Sequence, residues 1–371
     1  MEPKKLGFGL MRLPLLDKDD PTSINIELLK EMVDVFMERG FTYFDTAWNY
    51  CKFTSECAIK EALVDRYPRE SYTLTTKMHV AFVESKADRD RIFAEQKRKT
   101  GVSYFDYYLM HALSRKNYEK YKELEMFEWL QERKACGDVK HIGFSFHDDA
   151  AFLDELLQEH PEVEFVQLQI NYLDWESEDV QSRKCYEVAV AHGKKVLIME
   201  PVKGGTLANV STMVKDVFTQ YDAQASVASW AIRYAASLDQ VFMVLSGMSN
   251  MEQVLDNTSY MMHFQPLNKE EYECIDEALN IMKNDDFIQC TSCRYCVEGC
   301  PQSIHIPDII SIYNNDLRQT NQHDIQKFYY DNHVSQNAPA SACIGCGQCE
   351  SVCPQKLPII EILQKISQHF E

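Results

Sequence analysis

The chain has 371 residues, of which 45% are hydrophobic, and a formal net charge of -19. This length and hydrophobic content predict one large domain with a buried core and a second, smaller domain. The acidic charge argues against nucleic acid and anionic membranes as partners, because both would repel an acidic surface.

Short β-rich segments alternate with longer segments of helical period from Lys5 to about Gly247, which is typical of repeated βα units. We predict eight strands. They are Leu6–Leu13, Tyr43–Ala47, Thr73–Lys77, Tyr107–His111, His141–Phe146, Phe165–Asn171, Val196–Pro201 and Val241–Gly247. Eight units in about 250 residues, with no GxGxxG after any strand, favour a closed (β/α)8 TIM barrel over an open doubly wound sheet.

Eight of the 13 cysteines form two runs near the C-terminus. The runs are Cys290, Cys293, Cys296, Cys300 and Cys343, Cys346, Cys349, Cys353. Both follow the spacing CxxCxxCxxxCP, which supplies soft thiolates in groups of four and is typical of 4Fe-4S clusters. Paired zinc sites or reduced thiols are the alternatives. Together with the lack of a secretory signal or a long apolar segment, this cysteine usage predicts a cytoplasmic protein.

In two-cluster ferredoxins the fourth cysteine of such a run ligates the other cluster. We therefore predict one 4Fe-4S cluster on Cys290, Cys293, Cys296 and Cys353, and a second on Cys343, Cys346, Cys349 and Cys300. The segment between the runs has apolar residues at helical spacing, which favours a small α-helical ferredoxin-like domain. A polar linker, residues 283–286, leads into it. The predicted domains are a barrel at residues 1–283 and a ferredoxin-like domain at residues 284–371.

Four polar side chains stand at or just beyond the ends of predicted strands: Asp45, Tyr50, Lys77 and His111. The carboxyl ends of barrel strands share one face, so these groups should meet there. An ammonium held by a carboxylate is expected to lower the pKa of a nearby phenol, and Lys77, Asp45 and Tyr50 fit these roles. His111 would bind a carbonyl oxygen or share in the proton transfer. Taken singly, a turn cap, a solvated charge and a core histidine are the alternatives.

The segments around these residues resemble the aldo-keto reductases. They are Phe44–Ala47 with Tyr50 and Glu56, Thr75–Lys77, Asp106–His111 and Ile142–Ser145. With its cysteine-rich tail, the chain resembles bacterial and archaeal aldo-keto reductases fused to a 4Fe-4S ferredoxin domain. The resemblance implies carbonyl reduction or alcohol oxidation with NAD(P)H. It also implies that Asp45, Tyr50, Lys77 and His111 form the catalytic tetrad, with Tyr50 as the general acid.

The resemblance implies nucleotide contacts as well, and here the chain departs from the family pattern. The implied contacts are Ser145, Gln167 and Asn171 for the nicotinamide and Ser246, Gly247, Gln253 and Asn257 for the adenosine. Phe146 replaces a clamping Asn, Met199 replaces the ring-stacking Tyr, and Glu200 replaces the Ser after it. Ser249 replaces the Arg that grips a 2′-phosphate, so we expect a weak preference for NADPH.

Two anion sites are expected at the functional face of the barrel. One is a helix start capped by Ser249 with Glu252, and the other is the loop Val202–Gly205. A nicotinamide passes two electrons and a 4Fe-4S cluster one, which leaves open whether FMN acts as a converter. We expect a small-molecule carbonyl substrate and consider a redox protein as a partner. The alternative is a redox-sensing or electron-transfer protein whose barrel binds a nucleotide without turnover.

Overall fold

The computed structural model of the protein describes residues 4–18, 20–283, 287–318 and 323–371. These residues fall into two compact units. The first contains the chain up to Pro201 together with Ala228–Asn268, and the second contains Val202–Val227 together with Lys269–Glu371. The domain boundary predicted between residues 283 and 284 stays a prediction, and residues 284–286 of the predicted linker lie outside the described residues.

Eight parallel strands close into a barrel, each paired with the next and the last with the first. The strands are β1 Leu6–Gly9, β2 Tyr43–Asp45, β3 Thr73–Met78, β4 Phe105–Leu113, β5 Val139–Phe146, β6 Phe165–Gln169, β7 Lys195–Met199 and β8 Val241–Gly247. The predicted (β/α)8 barrel is confirmed. Strand β8 has the predicted bounds, but β1 ends before Leu13 because a turn begins at Leu10. Strand β7 ends before Pro201 because Glu200 adopts a left-handed φ of 56°.

Helices follow the strands through residue 282. They are α1 Ile26–Glu38, α2 Ser55–Ile59, α3 Lys86–Thr100, α4 Arg115–Glu123, α5 Met126–Ala135, α6 Ala150–Glu159, α7 Ser182–Ala191, α8 Thr212–Tyr221, α9 Val227–Ser237, α10 Met251–Met261 and α11 Lys269–Met282. A π-helical segment, Lys60–Val64, continues α2. Helices α8 and α11 belong to the second unit, where they pack against each other.

Large apolar side chains contribute to the core of the barrel. One buried cluster contains Tyr43, Leu109, Phe165, Leu197, Met243 and Leu245. The close approach of β5 and β6 requires a glycine, since a Cβ at Gly143 would lie 2.5 Å from the carbonyl oxygen of Phe165. Burial of such side chains is the main stabilising contribution to the barrel, at roughly 25 cal/mol for each Å² of apolar surface.

The C-terminal part of the second unit is helical, and its described residues contain no strand. Its helices are α12 Tyr295–Glu298, α13 Ile306–Arg318, α14 His323–Val334, α15 Gln348–Ser351 and α16 Ile359–Phe370. One hydrophobic core joins them and includes cysteines of both runs. Asp316 accepts hydrogen bonds from His323 at 2.9 Å and His369 at 2.5 Å, which ties α13, α14 and α16 together. Among the helices within the described ranges, none is long and apolar enough to cross a bilayer.

Candidate functional site

Lys77 lies at the centre of the predicted catalytic group. It is fully buried in β3, and its ammonium donates hydrogen bonds to Asp45 Oδ1, to the Thr46 carbonyl oxygen at 2.9 Å and to Tyr50 Oη at 3.3 Å. Asp45 is the last residue of β2, and Tyr50 follows in a turn closed by its N–H on the Ala47 carbonyl oxygen. The structure thus brings three of the four predicted catalytic residues into direct contact.

His111, the fourth residue, meets Tyr50 through its ring. The two ring centroids lie 5.7 Å apart in an edge-to-face arrangement. Strand β4 bulges here, with Ala112 at a φ of 54° and its N–H donated to Ser145 Oγ at 2.7 Å. Tyr121 Oη fixes the bulge by donating to the His111 carbonyl oxygen at 2.6 Å. Bulges re-aim side chains, and this one presents the His111 ring to the phenol.

Burial dominates the ionisation of the tetrad. It raises the pKa of Asp45 and lowers the pKa of Lys77, while the contact between the two opposes both shifts. Burial also raises the pKa of Tyr50 well above its usual range, with a further contribution from Asp45. The predicted lowering of the Tyr50 pKa is therefore wrong for this structure, because burial outweighs the effect of nearby positive charge. Tyr50 is protonated at neutral pH, as a general acid must be.

His111 is neutral in this site. Burial, and then the charge of Lys77, lower the pKa of His111 well below its usual range. Within the described residues, His111 Nδ1 is buried without a hydrogen-bond partner. A neutral imidazole with an open nitrogen can bind a polar ligand atom at the edge of Tyr50 without adding a charge.

A second ion pair flanks Tyr50, and the sequence analysis missed it. Arg12 follows β1, Glu200 follows β7, and the guanidinium lies 3.6 Å from the carboxylate. Glu200 adds to the rise in the pKa of Tyr50, whereas Arg12 opposes it. Asn171 Nδ2 donates to the Glu200 carbonyl oxygen at 3.1 Å. The first predicted strand, Leu6–Leu13, contains Arg12. The only signal in the sequence for this ion pair was therefore a cation near the end of an apolar segment.

A buried polar network supports Lys77 from the side of α3. Glu56 accepts hydrogen bonds from Thr76 Oγ1 at 2.8 Å and from Gln96 Nε2 at 2.9 Å. The Lys99 ammonium lies 3.0 Å from the other Glu56 oxygen. Gln96 Nε2 also reaches the Lys77 carbonyl oxygen at 3.1 Å. Glu56, which belongs to the segments of the family resemblance, thereby helps to hold the backbone that carries Lys77.

The residues predicted to clamp the nicotinamide are buried at the ends of β5 and β6. Gln167 Oε1 has no hydrogen-bond partner in the described part of the chain, so it can accept one from a ligand. Asn171 is already engaged, because its amide donates to Asp174 Oδ2 at 2.8 Å and its Oδ1 accepts from the Asp174 N–H at 2.9 Å. Gln167, rather than Asn171, therefore has a side-chain oxygen that can accept a hydrogen bond from the carboxamide of a nicotinamide.

Helix α10 begins differently from the prediction. Asn250 is its N-cap, accepting from the Gln253 N–H at 2.9 Å, so the expected capping box of Ser249 with Glu252 is wrong. Ser249 instead donates its hydroxyl to the Arg12 carbonyl oxygen at 3.0 Å and its N–H to Gln253 Oε1 at 2.7 Å. The Ser249 hydroxyl therefore links the segment after β8 to the segment after β1.

The remaining predicted adenosine contacts lie at the end of β8 and on α10. Asn257 Nδ2 donates to Ser246 Oγ at 3.0 Å, and Asn257 Oδ1 accepts from Tyr260 at 2.8 Å. Gly247 ends β8 next to the Arg12 side chain. The structure therefore brings Ser246 and Asn257 into contact, while their contact with a nucleotide stays a prediction.

The loop Val202–Gly205 differs from the anion site that we expected. Lys203 is 2% exposed and donates to Gln355 Oε1 at 2.8 Å, within the second unit. Its ammonium is engaged there, so the expected use of this loop as an anion site is wrong as far as Lys203 is concerned.

Cysteines of both runs line one cavity in the second unit. We name Cys290, Cys293, Cys296 and Cys353, which line this cavity, the first cysteine set. Burial raises the pKa of Cys290 to about 11 and that of Cys296 to about 12. Thiols with pKa values raised in this way keep their protons unless a metal replaces them, and four soft sulfur ligands suit iron. This grouping is the one that cross-ligation requires.

The other four predicted ligands form the second cysteine set: Cys300, Cys343, Cys346 and Cys349. The two runs repeat one backbone conformation, with left-handed φ angles at corresponding places. These are Ser292 and Gly345, Arg294 and Gly347, and Ser303 and Lys356. Helices α12 and α15 occupy matching places in the runs and pack against each other. Cys300, Cys343 and Cys349 lie in or against the shared core, and Cys346 is exposed. The repeated conformation supports equivalent roles for the two sets.

Both parts of the chain match known families. The model of the aldo/keto reductase family matches residues 5–280. The chain belongs to the aldo/keto reductase family. The model of a 4Fe-4S dicluster domain matches residues 289–357, so the predicted fusion of an aldo-keto reductase barrel to a C-terminal 4Fe-4S domain is confirmed. This aldo-keto reductase is therefore an oxidoreductase with an iron-sulfur domain.

Solved aldo-keto reductases share the barrel. The holo form of an enzyme from Bacillus halodurans is 22% identical, with a TM-score of 0.59 over 74% of this chain and 91% of that one. An enzyme from Klebsiella pneumoniae in complex with NADP and acetate is 17% identical, with a TM-score of 0.60 over 74% of this chain and 95% of that one. At these identities the likeness concerns the fold.

Two curated relatives match a short part of this aldo-keto reductase. They are the acetyl-CoA decarbonylase/synthase complex subunits alpha 1 of Methanosarcina mazei and Methanosarcina acetivorans, 31% and 28% identical over 80 residues. The match covers 22% of this chain and 8% of each relative. The chain thus spans a small fraction of the length of these proteins.

Proposed function

We propose that the protein reduces a small carbonyl compound, or oxidises the corresponding alcohol, at the tetrad, and that two 4Fe-4S clusters relay electrons for this reaction. The single observation that carries the proposal is the buried Lys77 ammonium, which donates to both Asp45 and Tyr50 Oη. A phenol that is held protonated beside an ammonium is arranged for proton transfer rather than for packing alone.

NAD(P)H, when bound, supplies a hydride to the carbonyl carbon. Tyr50 donates its proton to the carbonyl oxygen as the C=O π bond breaks, which gives an alcohol and leaves a phenolate. The Lys77 ammonium, 3.3 Å from Tyr50 Oη, stabilises this phenolate until a solvent proton replaces the one lost. His111 orients the carbonyl oxygen through its neutral ring. Alcohol oxidation runs the same steps in reverse.

Open hydrogen-bond acceptors support a nicotinamide ligand. Gln167 Oε1 and Glu200 Oε2 are both buried without partners in the described structure, and a carboxamide has two N–H groups to donate. The Klebsiella pneumoniae enzyme with the same fold was solved with NADP. We therefore propose NAD(P)H as the hydride carrier, bound through Ser145 and Gln167 and through the β8–α10 segment.

The relay rests on the two cysteine sets. Each set would hold one 4Fe-4S cluster, which exchanges one electron, whereas the carbonyl needs two electrons and two protons. FMN exchanges one or two electrons, so we include it as the converter between the clusters and the carbonyl, acting instead of, or alternating with, NAD(P)H, so that each turnover takes its two electrons from one source. A redox protein is proposed as the external partner of the clusters.

A specific observation favours the second candidate, a redox-sensing or electron-transfer protein that binds a nucleotide without turnover. Met199 and Glu200 stand where the family resemblance implies a stacking Tyr and a Ser, so the nicotinamide platform is altered. The contacts of Lys77 argue for catalysis, since a protein that only binds nucleotide would not need them.

Label transfer separates the two candidates. The anaerobically purified protein is incubated with NADH deuterated at C4 and a panel of aldehydes and 2-keto acids that includes 4-nitrobenzaldehyde. Mass spectrometry should find an alcohol with one deuterium on carbon, and its formation should be lost in Tyr50→Phe. Labelled cofactor that binds but passes no deuterium to any compound of the panel would instead support the redox-sensing protein.

A further inference from the structure

Three side chains from three helices of the second unit converge on one oxygen atom. Asp316 lies near the end of α13, His323 begins α14, and His369 lies near the end of α16. His323 Nδ1 is 2.9 Å and His369 Nε2 is 2.5 Å from the same oxygen, Asp316 Oδ2. We name these three residues the Asp316 group. None of them is a cysteine, so the group is separate in its ligand atoms from the two cysteine sets.

Two imidazoles and one carboxylate form a ligand set that suits a divalent transition metal. Ca²⁺ and Mg²⁺ are hard cations that prefer oxygen ligands, so the two imidazoles of the Asp316 group disfavour them. Zn²⁺ binds both imidazole nitrogens and carboxylate oxygens, and the Irving–Williams order places its affinity for such a site above that of Fe²⁺. The chemistry of the group therefore favours Zn²⁺.

The spacing of the three ligand atoms is close to the spacing around a zinc ion. They all lie within 4.8 Å of one another. Ligand atoms of a tetrahedral zinc ion, each about 2.0–2.2 Å from the metal, lie roughly 3.4 Å apart. The two nitrogens therefore need to move away from Asp316 Oδ2 by less than about 1 Å. The metal would take the place of the two N–H protons that now point at this oxygen, and each neutral ring would carry its proton on the other nitrogen.

Packing against aromatic rings holds the two imidazoles in place. The His369 ring meets the Tyr313 ring edge to face, with 5.0 Å between the centroids. The His323 ring is stacked on the Phe370 ring at 5.8 Å. The Asp316 side chain is only 7% exposed, whereas that of His323 is 53% exposed, so an ion can reach the buried carboxylate from the solvent past His323. Ligands that packing already orients lose less freedom when they bind a metal.

A similar trio in the same unit is less suited to a metal. It consists of His305, Asp308 and His333, and we name it the Asp308 group. The Asp308 carboxylate already pairs with the Arg294 guanidinium at 2.9 Å, which opposes a second cation at this place. Among the described residues, the ion pairs of Asp316 are with histidines alone. The Asp308 group is therefore a matched control for the Asp316 group.

We propose that the Asp316 group binds one Zn²⁺ ion, which links α13, α14 and α16. The protein ligands are Asp316 Oδ2, His323 Nδ1 and His369 Nε2, and a water molecule completes a tetrahedral coordination. Because the three ligands come together only in the folded chain, zinc bound here stabilises the helical part of the second unit.

X-ray absorption at the zinc edge tests the proposal on the full chain. The protein is purified anaerobically, supplied with an equivalent of ZnCl₂ and passed through a desalting column. We expect about one zinc per chain in addition to the iron, with nitrogen and oxygen ligands at about 2.0–2.1 Å. Sulfur ligands at about 2.3 Å would place the zinc on cysteines and overturn the inference. Protein of full iron content that retains no zinc would overturn it as well.

Two variants test the ligands one at a time. Asp316→Asn keeps an oxygen that can accept hydrogen bonds but loses the charge that a metal needs, and His323→Gln changes the most exposed ligand. Each should raise the Kd for Zn²⁺, titrated against a fluorescent zinc indicator, roughly tenfold or more. The iron content of each variant shows whether the domain stays folded.

His305→Gln, in the Asp308 group, is the control and should leave the Kd for Zn²⁺ unchanged. An unchanged Kd in both Asp316→Asn and His323→Gln would overturn the inference. An equal rise in His305→Gln would do so too, because it would show that the effect is not specific to the Asp316 group. Since the absorption measurement uses the wild-type chain, the proposal stays open to contradiction even where a variant fails to fold.

Discussion

The Glu200 carboxylate faces the Arg12 guanidinium at 3.6 Å, and both charges act on the phenol of Tyr50. Glu200 raises the pKa of Tyr50 and Arg12 lowers it. Carbonyl reduction needs the protonated phenol, so its rate should fall as pH rises through this pKa. We expect Glu200→Gln to move the alkaline limb of kcat/KM to lower pH and Arg12→Met to move it to higher pH.

The pH profile of kcat/KM for carbonyl reduction measures both shifts. Glu178→Gln is a suitable control, since Glu178 is exposed and pairs with Lys184 at the surface. A profile of Glu200→Gln that superimposes on the wild type, or moves to higher pH, would show that the ion pair does not act on Tyr50.

Titration of His111 should cause no change in kcat/KM near neutral pH. Burial lowers the pKa of His111 well below its usual value of about 6.5, so the ring gains a proton only at lower pH. We expect kcat/KM to be flat between about pH 6 and 8. A steady-state series in this range checks the expectation, and a limb near pH 6.5 that disappears in His111→Gln would contradict it.

NADPH should bind about as tightly as NADH. Ser249 cannot form the bidentate contact of an arginine with the 2′-phosphate, and Lys203 is engaged with Gln355. Fluorescence titration of both cofactors should give a ratio of Kd values near one. Ser249→Arg should tighten NADPH by roughly tenfold and leave NADH unchanged. Ser259→Arg, at an exposed position on α10, is the control, and a large wild-type preference for NADPH would contradict the assignment.

Reduced clusters should deliver electrons to a carbonyl compound when FMN is present. Two one-electron clusters hold the two electrons that one carbonyl group takes up with two protons. We expect visible absorbance of the chemically reduced protein to recover after anaerobic addition of an aldehyde with FMN, with one alcohol formed per two clusters. Clusters that stay reduced with and without FMN, while reduction by NADH proceeds, would show that they serve a separate partner or only stabilise the fold.

The order of strands and the tetrad could be predicted because their signals are local. Each polar residue of the tetrad ends or follows an apolar β-type segment, and the strand alternation alone places the ends of β2, β3 and β4 on one face. The spacing of the cysteines likewise predicts which sulfurs meet, and Cys353 does join Cys290, Cys293 and Cys296 at one cavity.

Contacts between distant loops could not be predicted in this way. Arg12 and Glu200 lie far apart in the sequence, and only barrel closure brings β1 and β7 loops together. The close packing of Gly204 on Thr291 likewise joins segments that lie far apart in the sequence. The pKa of Tyr50 depends first on burial and then on nearby charges such as Asp45 and Glu200, and a sequence pattern gives neither the burial nor the distances.

Replacement of Tyr50 tests the central claim most directly. Tyr50→Phe removes only the hydroxyl that donates the proton. Tyr186→Phe is the matched control, because the Tyr186 hydroxyl donates to the Asp239 carbonyl oxygen, at a distance of 2.6 Å, and is not part of the tetrad. With NADH and an aldehyde, we expect Tyr50→Phe to lower kcat/KM by roughly 100-fold with an unchanged Kd for the cofactor. Lys77→Met should have a similar effect, because it leaves the phenolate unstabilised. Wild-type turnover in Tyr50→Phe would contradict the claim that this phenol is the general acid.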